Sequence, residues 1–220
     1  MKKILLGILG VLLLSGCTNK EMVTYYENTK AGGSIDSYQL DLRIYGNYDG
    51  KVYNEMIRVD NYKGTQFRIE NIANNILPIG SKDEENDGEF PFMVNNASYK
   101  INDKNYEYKD GNYVEVKSLM YSNPNEYLET VSKAKKVEKL NDDKIGDATY
   151  KTYTFKINKA DMEQVFKDSA LKDLKLKSDV SAKVWIDKDD RIHRVIYYLI
   201  EGKDKVEINA SIFRINTITD

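Results

Sequence analysis

Residues 38–60 read YQLDLRIYGNYDGKVYNEMIRVD, and their period decides the fold class. Tyr38, Leu40, Leu42 and Ile44 alternate with Gln39, Asp41, Arg43 and Tyr45. One side of an extended chain is then apolar and the other polar. Asn47 to Gly50 is a turn, and its Asp49-Gly50 pair is a hairpin signal. From Val52 to Asp60 the alternation resumes, with Tyr53, Ile57 and Val59 on one face. Strands joined by so short a turn pair antiparallel.

The same pattern extends in both directions. Lys63-Gly64 turns the chain into a third strand, Thr65 to Asn71, with Phe67 and Ile69 facing one way. Upstream, Met22, Tyr25, Tyr26 and Thr29 have helical spacing, predicting a helix over Glu21 to Ala31 that Gly32-Gly33 ends. Thr18 to Lys20 reads as a polar tether before it.

Downstream, Gly80 to Glu89 carries five acids, Asp83, Glu84, Glu85, Asp87 and Glu89. It lacks the ligand order of an EF-hand calcium loop and reads as a solvated surface loop. Ala97 to Val116 holds three short strands around Asn102-Asp103-Lys104 and Asp110-Gly111-Asn112.

Asn123, Pro124 and Glu126 mark a helix start, followed by the stripe Tyr127, Leu128, Val131 and Ala134. Strands over Lys135 to Leu140 and Tyr150 to Ile157 flank the turn Asn141-Asp142-Asp143. Asn158 can cap a helix over Lys159 to Leu171, with Met162, Val165, Phe166 and Ser169 on its apolar side. Such a stripe is core packing, not a cofactor box. Three strands close the chain: Ala182 to Asp187, Ile192 to Ile200 and Val206 to Ile215. This order predicts an α+β fold, a curved antiparallel sheet whose one apolar face is covered by the few helices.

The N-terminus reads MKKILLGILGVLLLSGC. Lys2 and Lys3 precede an apolar run, Ile4 to Leu14, that is shorter than the roughly 20 residues a membrane-spanning helix needs. It is expected to be a secretory signal. Leu14-Ser15-Gly16-Cys17 resembles the bacterial lipobox, in which a peptidase cuts before a cysteine that carries diacylglycerol. Two acyl chains anchor stably where one is marginal. Cleavage before Cys17 leaves 204 residues, with 31 basic against 35 acidic side chains once Lys2 and Lys3 are gone. A body of net charge −4 is expected to be held to a membrane by lipid and not by a basic patch.

Composition removes several function classes. The one cysteine, Cys17, cannot close an intramolecular disulfide, and with one histidine a Cys/His zinc site lacks ligands. With 33 basic and 35 acidic residues the chain is no basic nucleic-acid binder. There is no Gly-x-Ser-x-Gly elbow and no phosphate-cradling glycine motif. His193 falls in a strand, expected on the face of Val195, Tyr197 and Leu199, without an evident nucleophile. A non-enzymatic protein without cofactor or metal is expected. Tyr25, Tyr26, Tyr45, Tyr48, Tyr62 and Tyr121 are candidates for an exposed interface.

Three features together resemble the LolA-like and LppX/LprG-like lipoprotein superfamily. They are a helix leading into the paired strands of Ser37 to Asn71, the segment KKVEKLNDDKIGDATYKTYTF at 135–155 followed by a helix, and AKVWIDKDDRIHRVIYYL at 182–199. The last carries Trp185, Ile186 and Asp187, with Asp189 and Asp190 in its turn. The resemblance implies a half-barrel with helices in its concave face, and carriage of lipids or sensing of envelope state.

The Asn-, Lys-, Ile- and Tyr-rich composition resembles that of a low-GC Gram-positive bacterium, which argues against sorting to an outer membrane. The expected layout is a signal peptide at 1–16, a lipidated cysteine, tether and helix at 17–33, and one half-barrel domain at 34–220. The expected partners are the membrane, reached through Cys17, and a hydrophobic ligand, lipid or acyl chain. Leu40, Leu42, Ile44, Tyr53, Ile57, Phe67 and Ile69, with Met162 and Phe166 from the helix, are the candidate ligand-lining residues. The alternation fits equally a closed core, and with it an envelope protein-interaction or stress-sensing module without ligand.

Overall fold

A computed structural model of the protein describes residues 17–30, 35–78, 97–110, 112–121, 123 and 125–218. The expected signal peptide at 1–16, Gly32-Gly33, the acidic segment 80–89 and Pro124 lie outside the described residues.

Helix α1, Cys17–Thr29, leads into three long strands, β1 (Ser37–Tyr48), β2 (Lys51–Tyr62) and β3 (Gln66–Pro78). Three short strands follow, β4 (Ser98–Ile101), β5 (Lys104–Lys109) and β6 (Asn112–Val116). A single helical turn α2, Glu126–Glu129, runs into a 3-10 turn, Thr130–Lys133. Next come β7 (Lys135–Lys139), β8 (Asp143–Ile145), β9 (Ala148–Ile157) and helix α3 (Lys159–Phe166). The chain closes with β10 (Val180–Ile186), β11 (Ile192–Glu201) and β12 (Asp204–Phe213).

All pairings are antiparallel, in the order β6-β5-β4-β3-β2-β1-β12-β11-β10-β9-β7, with β8 on β9. The last strand thus inserts beside the first, joining the two meanders into one open sheet of 12 strands. It curls into a half-barrel with the helices on the concave side, as the period-two reading requires.

One face of this sheet is the core. Leu42 lies opposite Ile57 on β2 and Ala210 on β12, and all three are fully buried. Leu42 and Ile57 each contribute about 1.5–3 kcal/mol by leaving water. Across the sheet Val184, Val195 and Ala210 continue the same layer.

Helix α1 lies against the 3-10 turn, β7 and β11; of its expected stripe Met22, Tyr25 and Thr29 are buried and Tyr26 is partly buried. Thr29 Oγ1 accepts from Ile192 N at 2.7 Å, and the Tyr25 and Tyr153 hydroxyls meet at 3.1 Å.

Several elements differ from expectation. Helix α1 begins at Cys17, so residues 18–20 are helical and form no tether. Asn19 and Lys20 are exposed, and a polar first turn suits a helix that docks by its later residues. Strand β3 runs seven residues past Asn71, to Pro78. Its asparagines disfavour a strand, but pairing with Lys51–Met56 overrides that.

Helix α2 is one turn, because the Thr130 and Ser132 hydroxyls donate to the Tyr127 and Glu129 carbonyls and tighten the chain. Asn123 does not cap it; its amide donates to the Glu126 side chain at 3.1 Å. Helix α3 stops at Phe166, short of Leu171, where Ser169 Oγ donates back to Phe166 O at 2.9 Å. Asn158 makes no side-chain cap there.

Candidate functional site

The nine candidate residues come from four elements. Leu40, Leu42 and Ile44 stand on β1, Tyr53 and Ile57 on β2, Phe67 and Ile69 on β3, and Met162 and Phe166 on α3. The structure brings all nine into one buried cluster, each 5% exposed or less. The strand residues are cross-strand neighbours: Leu42 lies opposite Ile57, and Val59 lies between Leu40 and Ile69. Tyr127, Leu128 and Val131 of the α2 region belong to the same cluster.

Tyr53 also borders an opening of about 230 Å³ at the β1–β2 turn, lined by Tyr48, Asp49, Lys51, Asp173, Leu174 and Lys177 among others. Burial, with Asp49, Asp173 and Glu55 adding to it, raises the Tyr53 phenol above its ordinary pKa. The lining of the opening mixes charged side chains with Tyr48, Tyr53 and Leu174. Cys17, the expected site of lipid attachment, is the first residue of α1.

The concave face holds polar groups that the alternation reading passed over. Glu55 lies opposite Ile44 and shares a face with Tyr53 and Ile57, yet it is only 1% exposed. Its Oε2 accepts from the Tyr121 hydroxyl. Among the described residues its Oε1 has no hydrogen-bond partner. Burial raises the carboxyl's pKa, against a smaller opposing effect of the Tyr121 bond.

At the other end of β2, Asn61 is fully buried. Its amide donates to Asn125 Oδ1 at 3.0 Å, and the Tyr38 hydroxyl donates to that same oxygen. The signal for both was present in the sequence: residues 53, 55, 57, 59 and 61 share one parity, and two of them are polar.

The tyrosines divide. Tyr45 is 69% exposed, whereas Tyr25, Tyr48 and Tyr121 are buried, against the expectation of an exposed set. Tyr48 has the inward parity of β1, and Tyr25 faces Tyr153. Tyr121 is turned inward by a backbone φ of 59°. Burial pushes the partly buried Tyr26 phenol up to about 12, with Glu129 and Glu27 adding to it.

His193 also departs from expectation. Arg194 pairs with Trp185 and Ile192 with Ile186, which leaves His193 as the extra residue of a β-bulge. The bulge turns it away from Val195, Tyr197 and Leu199. Its ring stacks on Tyr150 at 4.5 Å and meets Phe213 edge-on at 6.1 Å. Burial lowers its pKa, and Arg194 adds to that.

The Trp-Ile-Asp segment has a structural role. Trp185 Nε1 donates to Asp143 Oδ2 at 3.1 Å, tying β8 to β10. Lys183 Nζ lies 3.2 Å from the same oxygen and 4.5 Å from the indole centre.

Among the described residues no group of three His, Cys, Asp or Glu side chains is placed to hold a metal ion. No helix among them is long and apolar enough to cross a membrane.

No family model matches the sequence, and no curated protein matches it either. Solved structures do match. The lipoprotein LppX of Mycobacterium tuberculosis is 12% identical and aligns over 84% of this chain and 89% of its own, with a TM-score of 0.53. LprF from Mycobacterium bovis, also 12% identical, aligns over 92% of this chain and 95% of its own, with a TM-score of 0.54. An open antiparallel half-barrel, helices on its concave side and a last strand inserted beside the first together give this chain the LppX-like fold that its sequence resemblance implied.

Proposed function

We propose that the chain is an extracytoplasmic lipoprotein, anchored through diacylglycerol on Cys17, whose half-barrel takes up a hydrophobic molecule, a lipid or an acyl chain. The observation that carries this reading is the largely apolar layer of the half-barrel, spanning β12, β1, β2 and β3 and roofed by short helical segments. Burial of chain methylenes on such a face is nondirectional and additive, which suits acyl chains.

In this reading the signal at 1–16 is removed. The acyl groups sit at the first residue of α1, and residues 34–220 form the uptake domain. Leu40, Leu42, Ile44, Tyr53, Ile57, Phe67, Ile69, Met162 and Phe166 line the path of the chain, and the opening beside Tyr53 is its mouth. The domain is a carrier and not an enzyme.

A second reading rests on the burial of those same nine residues to 5% exposure or less. A face packed that closely suits a closed core, used as an envelope protein-interaction or stress-sensing module. Titration of the delipidated full chain with a fluorescent acyl probe separates the two. Saturable uptake at one site supports the carrier, and no saturable uptake supports the closed module. For the anchor, Cys17→Ala is expected to abolish lipid labelling; continued labelling would refute it.

A further inference from the structure

The face of the sheet turned away from the helices carries an opening of its own, of about 170 Å³. Asp41 and Arg43 on β1, Arg194 on β11, and Asn209, Ser211 and Phe213 on β12 line it. The register explains their meeting. Asp41 and Arg194 both lie opposite Ser211, one on each side of β12, and Arg43 lies opposite Asn209. These outward positions alternate with the buried Leu42, Val195 and Ala210.

Hydrogen bonds within the opening engage its acceptors. Both Asp41 oxygens accept from Arg58, from Nε at 2.8 Å and from Nη2 at 3.0 Å, and this pair offsets the carboxylate's charge. Ser211 Oγ accepts from Arg194 Nε at 3.1 Å and donates to Asn209 Oδ1 at 2.8 Å. The groups left over are donors: the Arg194 Nη groups, the Arg43 guanidinium and the Asn209 side-chain amide. Among the described residues neither Arg43 nor Arg194 is ion-paired with a carboxylate.

Arg194 is also held in position. Its guanidinium lies 5.8 Å from the centre of the Trp185 ring, and Trp185 is buried. A planar fork fixed through Nε and a ring face has its Nη groups ordered before any ligand arrives, which lowers the cost of binding. Arg43, exposed on the other side of β12, adds a second charge.

Two guanidiniums and an amide offer more N–H groups than the two oxygens of a carboxylate can take. A terminal phosphate has three acceptor oxygens and close to two negative charges, and it suits this set better.

We propose that Arg43, Arg194 and Asn209 form an anion site on the outer face of the half-barrel for a terminal phosphate group, the chemistry shared by inorganic phosphate and a phosphomonoester head group. The site is independent of the uptake reading: it lies on the opposite face of the sheet and stands whether or not the concave side takes up lipid.

The one histidine serves as the reporter. His193 precedes Arg194, its ring meets Phe213 of the lining, and burial together with Arg194 holds its pKa down. An anion at Arg194 opposes that effect. The full chain, labelled with nitrogen-15 histidine and held in neutral detergent, is titrated with inorganic phosphate, with sodium chloride at equal ionic strength as the reference. Phosphate is expected to raise the His193 pKa by about 0.5 and to saturate in the roughly millimolar range. Arg43→Gln removes an exposed side chain, so it is expected to weaken phosphate binding about tenfold and to leave the melting temperature unchanged. The source is read in phosphatidylcholine nanodiscs free of inorganic phosphate. The same His193 shift on replacing a fifth of the lipid with phosphatidic acid supports the site as one for a lipid head group. A shift with inorganic phosphate alone supports it as one for soluble phosphate. No saturable shift beyond the chloride reference with either source, or phosphate binding unchanged in Arg43→Gln, overturns the site.

Discussion

The hydroxyls of Tyr25 and Tyr153, 128 residues apart, meet at 3.1 Å where α1 lies on β9. Their rings are tilted at 5.9 Å, so the contact is both polar and aromatic. It fixes the helix that begins at Cys17 to the body of the sheet.

Tyr25→Phe leaves the Tyr153 hydroxyl without this partner. It is expected to cost about 1–3 kcal/mol, while the double variant with Tyr153→Phe costs less than the sum of the two. A double-mutant cycle by chemical denaturation measures the coupling. Hydrogen exchange over residues 19–29 should rise in the single variants. Strictly additive effects would show that the two hydroxyls are independent.

Glu55 gives the fold an unusual pH dependence. Burial raises its folded-state pKa above the ordinary 4.5. Between those two values the native state holds more protons than the unfolded chain. Stability from this group is therefore full below pH 4.5 and falls as pH rises through the folded value. Glu55→Gln is expected to leave the melting temperature unchanged below that range and to raise it at pH 8. Each kcal/mol is worth about 2–4 °C in a chain of this size. A lower melting temperature for the variant at pH 8 would contradict the assignment.

Gly46 sits on the core face of β1 with φ 139°, and a Cβ there would lie 2.1 Å from Lys205 O on β12. Gly46→Ala should cost at least about 1–3 kcal/mol, since strand β12 must move. Gly202, at φ 63° with nothing within 4 Å of an added Cβ, is the control. Gly202→Asn should stay within about 1 kcal/mol. Thermal melts of both variants check the contrast.

Leu42→Ala probes how tightly the face is filled. With Leu42, Ile57 and Ala210 all fully buried, the loss in the ligand-free protein is expected at about 2–5 kcal/mol. A loss well under that range would show that the face is not close-packed there.

Much of this fold was legible in the sequence, because a sheet with one buried face writes its register as period-two alternation. Leu40, Leu42, Ile44, Phe67 and Ile69 were placed by that rule alone, and the structure gathers them in one layer. What the rule misses is local. A bulge inverts parity, and His193 therefore left the face assigned to it. A side chain that bonds its own backbone shortens a helix, as Ser169 does after α3. A polar residue at an inward position is invisible to a search for apolar ones, and Glu55 and Asn61 were lost that way. Tyr121 needed its backbone φ, which no alternation carries.

Uptake of a hydrophobic molecule by an anchored half-barrel is what the roles proposed for the nine lining residues depend on. Native mass spectrometry of the full-length protein, released from its own membrane under mild detergent, tests it most directly. A reproducible extra mass of one lipid or acyl-chain molecule per chain is expected, beyond the acyl groups on Cys17 and lost on delipidation. A protein that carries only its anchor, and that takes up nothing when lipid is restored, would contradict it.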